Sequence, residues 1–255
     1  MKQSTPTSPK PKEPRAILLI GPPGGGKTTL AMQFPNVCFL DCDRNLDGPD
    51  RFIRQKNKEL AYCYEPIVLD DDGNPVPVEK CFDRLVDKLT QLKTNKDVKT
   101  VVIDSLTMVN EFIIRKVLFE QGKKTFMEPH FWAPFKSHFW DLLVGKIRGT
   151  GKTSICTVHE EMVMENDATK VMVTRIIGFV PTVQGKIGDY FGAFFTDIWR
   201  CTSAPAPGGA TEFNIWGTRT SQSDLKSSIG LPAKLTVKSG ELAFDAVKSY
   251  LKDIL

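Results

Sequence analysis

No apolar run in this 255-residue chain is long enough to form a membrane-spanning helix. The opening stretch, MKQSTPTSPKPKEPR, has no apolar segment and is expected not to be a secretory signal. Its proline, serine, threonine and lysine predict instead a disordered lead-in over residues 1–14. The six cysteines, at 38, 42, 63, 81, 156 and 201, include no C-x-x-C pair. Cys38 and Cys156 fall inside apolar runs, so buried, reduced thiols are expected in preference to disulfides or a zinc site. His130, His138 and His159 lack metal-ligand spacing. There is no internal repeat and no N-K-x-D guanine-reading motif. Nor is there a strong charge imbalance: 34 basic against 30 acidic residues leave +4, so any affinity for nucleic acid must come from local patches. With 41% of its residues hydrophobic, the chain can bury one sizeable core.

What is present is an alternation of short apolar runs with helical patterns. RAILLIG (15–21), NVCFLDCD (36–43), VKTVVIDS (98–105) and TSICTVHE (153–160) read as buried strands. KTTLAMQF (27–34), EKCFDRLVDKLTQLKTN (79–95), LTMVNEFIIRKVLFEQG (106–122) and APFKSHFWDLLVGKIRG (133–149) read as helices. EPIVLD and NPVPV around DDGN (71–74) predict a hairpin standing off the main fold. After residue 160 the pattern turns strand-rich: two strands around END (165–167), a short helix over 183–195, a hairpin around PAPGGA, and an amphipathic helix over 241–255. The expectation is a single α/β domain over 15–255, with a mainly parallel sheet flanked by helices in its core (15–160) and a β-rich extension of the same sheet in 161–255.

The chemistry gathers at Gly21–Leu30, GPPGGGKTTL. Gly21-x4-Gly26-Lys27-Thr28 matches the P-loop pattern, with a strand before it and a helix after it. Gly21, Pro22, Pro23, Gly24, Gly25, Gly26, Lys27, Thr28 and Thr29 are therefore the expected phosphate cradle. Its backbone N–H groups close around phosphate oxygens, and a helix begins at its end. Lys27 should reach the β- and γ-phosphates, while Thr28 and Asp104, the latter at the end of VVID, should hold Mg²⁺. The second Gly-Lys-Thr, in GTGKT (149–153), lacks the leading glycine, since position 146 is lysine, and it precedes a strand. It is read as a turn. Asp41 and Asp43 end the second strand and could polarise a water facing the γ-phosphate; the alternative is that they only cap that strand. His159 and Glu160 end the fourth strand and should face the same crevice.

In this order the motifs resemble the RecA-type ATPase core: P-loop, FLDCD, VVIDS, then CTVHE. The run PTVQGKIGDYF, then DIWR, then RTSQSDLKSSIGLP is similar to the end of phage-encoded RecA-core ATPases linked to single-strand annealing and recombination. The resemblance covers about residues 15–235. It implies an enzyme that binds ATP with Mg²⁺ and hydrolyses it. Asp43 would orient water, as an aspartate where glutamate is usual in that family, and His159 or Glu160 would sense the γ-phosphate. Arg219 and Lys226 would reach the neighbouring subunit's γ-phosphate. The implied partners are single-stranded DNA, further copies of the chain in a ring or filament, and a single-strand-binding protein, in the cytoplasm (the host's, for a phage protein) and not at a membrane. The F-x-x-A motif that links some recombinase filaments is missing.

Nucleic acid has two candidate places. QGKKTFMEPHFWAPFKSHFW (121–140) mixes Lys123, Lys124 and Lys136 with Phe126, Phe131, Trp132 and Trp140, a composition suited to phosphate contact and base stacking. Phe139 and Trp140 are expected in the core. The second place, 161–176, carries Lys170 and Arg175 but also Glu161, Glu165 and Asp167. The alternatives to a recombination ATPase are a replication or packaging motor or loader, a small-molecule kinase, although the segment that could serve as its lid, IRQKNKEL (53–60), has one arginine and no lid pattern, and a nucleotide-gated binding module of negligible turnover.

Overall fold

The computed structural model describes residues 14–166, 174–184, 187–206, 209, 211–220, 223–238 and 241–251. Five apolar runs form parallel strands: β1 (Ala16–Gly21), β2 (Val37–Asp41), β4 (Thr100–Asp104), β5 (Thr153–Asn166) and β7 (Asp197–Pro205), with β3 (Cys63–Pro66) added at the edge. β6 (Thr174–Pro181) pairs antiparallel with the outer half of β5. β8 (Thr211–Trp216) and β9 (Leu235–Val237) close the other side antiparallel. The order across the sheet is β3-β2-β4-β5-β1-β7-β8-β9. β1, β2 and β4 are buried along their whole length, as expected of strands covered on both faces.

Alternation along each strand feeds two cores. Leu18 and Ile20 join one with α3 (Val78–Thr94), α4 (Leu106–Glu120), α5 (Trp132–Trp140) and α6 (Phe191–Phe194). Ile17 and Leu19 join the other with α1 (Lys27–Ala31), α2 (Asp47–Lys56) and α7 (Ala243–Lys248). The start of β7 is anchored by Asp197, fully buried, which accepts from Arg15 Nη1 at 2.9 Å and from the Ser228 backbone N–H at 2.7 Å. All six cysteines are free, five of them buried. Among the described residues no helix is long and apolar enough to cross a membrane.

Several expectations need revising. The turn at 71–74 forms, with Asp70 N–H donating to Asn74 O at 2.9 Å, but the segment does not stand off. Its leading flank is β3, Ile67 is fully buried, and Lys88 of α3 pairs with Glu65 at 2.7 Å. β3 is too short, and α2 too polar, for periodicity to announce them. β5 runs to Asn166, well past residue 160. The closing helix spans only Ala243–Lys248 among the described residues. The lead-in over 1–13, Asp167 and Lys170 lie outside the described residues.

Trp140 is also not a core residue. Phe131, Phe135 and Phe139 lie on the buried stripe of the α5 region. Trp140 follows Phe139 by one residue, about 100° round the helix. It is 51% exposed and meets Phe194 edge-on at 4.7 Å. Beyond it the helix widens into a π-helical stretch, Asp141–Ile147. Phe139→Ala should therefore cost about 3–5 kcal/mol in urea denaturation. Trp140→Ala should cost less than about 1.5 kcal/mol, because a half-exposed edge contact is all it loses.

Candidate active site

Parallel pairing brings the motif ends together. Gly21 is level with His159 on β5, and Asp41 is level with Asp104 on β4. β5 lies between β1 and β4, so the P-loop and VVID face one crevice from either side of His159.

The loop glycines answer to packing as well as to phosphate. A Cβ on Gly21 would lie 2.0 Å from the Cys201 carbonyl oxygen of β7, and one on Gly25 would lie 2.5 Å from it. Gly24 and Gly26 have φ of 74° and 87°, the left-handed region that favours glycine. Pro22 is half-buried and Pro23 exposed. Lys27 is buried, and its Nζ donates to Gly21 O at 2.8 Å and Pro22 O at 3.0 Å. Burial holds its pKa below the usual lysine value. Its Nζ also lies 3.5 Å from His159 Nδ1. Burial first, and then the Lys27 charge, pull His159 down toward the neutral imidazole.

Asp104 joins the elements. Its Oδ2 accepts from Thr28 Oγ1 at 2.7 Å, and its Oδ1 accepts from Thr157 Oγ1 on β5. Thr29 follows Thr28 on α1, where its carbonyl accepts from Gln33 Nε2 at 2.6 Å. Asp41 and Asp43 part company. Asp41 is fully buried, accepts from the backbone N–H groups of Asp43 and Arg44, and receives the Tyr64 hydroxyl at 3.1 Å. It is a cap for its own strand end. Asp43 has one oxygen 3.4 Å from Ser105 Oγ and the other buried without a hydrogen-bond partner. Burial, then Asp104 and Asp41, push its pKa up to about 6.

His159 and Glu160 also separate. Glu160 is gripped by both ends of the Arg200 guanidinium, at 2.6 to 3.1 Å, and Arg200 lies 3.7 Å over the Phe179 ring. Its charge is taken up by that ion pair, so His159 is the residue of the two that meets the P-loop. Arg219 is 77% exposed and pairs with Asp224 at 2.8 Å, and Lys226 Nζ donates to Gly192 O at 2.7 Å. No described interaction brings either to the P-loop of their own chain. Thr157, Ser105 and Arg200 are site residues that sequence reasoning missed. Thr157 and Ser105 sit inside CTVHE and VVIDS, two residues before His159 and one after Asp104, whereas Arg200 has no local signal.

A family model described as an AAA domain matches residues 13–203, from before β1 into β7. The chain belongs to that family. Compared with the curated proteins, it matches none. The AAA domain is a P-loop ATPase domain, and the residues here fit Mg²⁺-nucleotide: a glycine cradle, a buried ammonium, a hydroxyl on a carboxylate, and an unpaired carboxylate oxygen beside them. Among the described residues no cluster of His, Cys, Asp and Glu could hold a metal ion alone.

Because the folded protein raises the Asp43 pKa to about 6, this group's contribution to stability falls as pH rises from the unfolded value of about 4 toward 6, and stays reduced above it. Asp43→Asn should therefore melt higher than wild type at pH 8, with the gap closing as pH is lowered through 6. Thermal melts across that range check the sign.

Proposed function

We propose that this AAA domain hydrolyses Mg²⁺-ATP, and that single-stranded DNA stimulates the reaction, in strand annealing or recombination. The observation that carries the reading is the convergence of Lys27, the Thr28–Asp104 pair and Asp43 on one crevice. In this reading Lys27 leaves the loop carbonyls for phosphate oxygens, which are stronger acceptors because they are charged. The Asp43 carboxylate takes the proton of the attacking water through its unpaired oxygen. His159, close to Lys27, reports on the γ-phosphate. Thr28 and Asp104 would hold Mg²⁺, which would supply positive charge to the phosphoryl oxygens. kcat/KM should show an acid limb near pH 6, and Asp43→Asn should lower kcat by about 10²-fold or more and remove that limb.

What supports DNA is the break between α4 and α5. Phe126 is 64% exposed there, beside exposed Lys123 and Lys124. Lys124 is partly offset by Glu128 at 3.5 Å. The small-molecule kinase reading is the weaker one: 53–60 offers a single arginine, Arg54, which pairs on α2 with Asp50 at 2.8 Å. Assembly into a ring or filament would use exposed Arg219, and Lys226 once freed from Gly192, as groups offered to a neighbour. A single-strand-binding protein remains a proposed partner on the resemblance alone. Turnover should rise with single-stranded DNA, fall with added salt as phosphate contacts weaken, and vanish in Lys27→Ala. Turnover indifferent to DNA would sink the DNA part of the proposal. If DNA stimulates, a strand-annealing assay separates recombination from a motor or loader.

A further inference from the structure

The short segment from Tyr190 to Phe194 is held from several sides. Trp140 of α5 meets the Phe194 ring edge-on at 4.7 Å and lies 6.4 Å from the Tyr190 ring, with those two planes at 70°. Arg148 donates its Nη2 to Phe194 O, and Lys226 Nζ donates to Gly192 O at 2.7 Å. The rings meet edge to face and do not stack, so Trp140 and Tyr190 both stay 51% exposed. Val144, a turn further along from Trp140, is exposed too. Positive charge surrounds these side chains. Lys136 is exposed one turn before Trp140 on α5. Lys136, Arg148 and Lys226 have no carboxylate partner among the described residues, and the groups that accept from Arg148 and Lys226 are neutral carbonyls. Asp141, next to Trp140, lies 3.9 Å from Lys146, which offsets it. In the break between α4 and α5, by contrast, Lys124 has Glu128 beside it. The patch also stands on the chain that leaves the crevice. Upstream of Tyr190, Thr182 N–H donates to His159 O at 2.8 Å and Gln184 N–H donates to Asn110 Oδ1 at 2.9 Å.

We infer that a single strand of DNA stacks its bases here, on Trp140 and Tyr190, with Lys136 and Arg148 against its phosphates. The inference rests on the single-strand reading above and goes further. It moves the main contact from Phe126 to a surface that exists only once α5 and the segment before β7 are folded together. An aromatic face accepts any base and an unpaired cation accepts any phosphate, so the surface suits single strands without sequence preference. A duplex keeps its bases stacked on one another and offers the rings nothing. A neutral protein partner would cover the rings and Val144 but leave the cations beside them unpaired, at a desolvation cost. A strand uses both. Lys226, while it stays on Gly192 O, adds a third charge. Contact at Tyr190 acts on the segment whose upstream end is bonded to His159, which gives DNA a physical route to the nucleotide.

The test is fluorescence anisotropy of a labelled oligothymidine titrated with the full chain at several salt concentrations. Trp140→Ala should weaken binding about tenfold, as expected for the loss of one base–ring stack, and Trp140→Phe should recover most of it. Tyr190→Ala should weaken binding about fivefold or more, and Phe126→Ala less than about threefold. Lys136→Ala should make the plot of log affinity against log salt shallower by roughly 0.7, one phosphate contact on a single strand. Urea denaturation shows whether each variant is folded. If Trp140→Ala is not, Trp140→Leu, which keeps an apolar contact with Phe194, is read in its place. Wild-type affinity in both Trp140→Ala and Tyr190→Ala overturns the patch, while the single-strand reading stands on the wild type's own binding. A wild-type chain that ignores oligothymidine even at low salt overturns the single-strand reading and the patch with it. If such a chain instead binds a labelled glutamate-rich peptide containing phenylalanine, and loses it in Trp140→Ala, the surface belongs to an acidic protein partner and the inference falls.

Discussion

A single buried carboxylate ties the crevice together. Asp104 accepts from Thr28 on α1 and from Thr157 on β5 while standing at the end of β4, so three separate segments share one charge. A carboxylate this deep is tolerated only when its oxygens have hydrogen-bond partners. The hydroxyls that serve as those partners hold the first helical turn against the sheet, and so set the position of Lys27 one residue earlier.

The pair Asp41 and Asp43 shows how environment divides two identical side chains. Asp41 is saturated by two backbone N–H groups and the Tyr64 hydroxyl, and its work is local. Asp43 lies close to both other carboxylates and keeps one oxygen unpaired. Two acids whose surroundings differ in this way are not interchangeable: one has its lone pairs occupied and the other does not. The cost of holding it so is borne by the rest of the fold.

β7 contributes more than an added strand. Its Cys201 carbonyl presses on Gly21 and Gly25, and its Arg200 reaches across β1 to Glu160 and lies over Phe179 of β6. The strand behind the P-loop is thereby joined to the β5–β6 hairpin that leaves the sheet beside His159. An acidic residue next to the phosphate region is neutralised in the process, which keeps the crevice favourable for anions.

Much of this was legible in the chain. The P-loop, the apolar strands β1, β2, β4 and β5, and the amphipathic α3 and α4 announce themselves, because a phosphate cradle needs glycine, lysine and threonine at fixed offsets, and buried strands need unbroken apolar runs. β3 and α2 did not, being short or polar, and END to Arg175 falls largely outside the described residues. Trp140 was misplaced because composition does not tell which side of a helix a residue occupies. Sequence alone determined that a P-loop and an aspartate-ended strand exist, since those depend on local spacing. Only the tertiary structure decided which aspartate is capped and which is free, that His159 meets Lys27 while Glu160 meets Arg200, and that Phe213 lies on Gly26. Those choices depend on contacts between residues up to 187 positions apart in the chain, Gly26 and Phe213 being the farthest of these pairs.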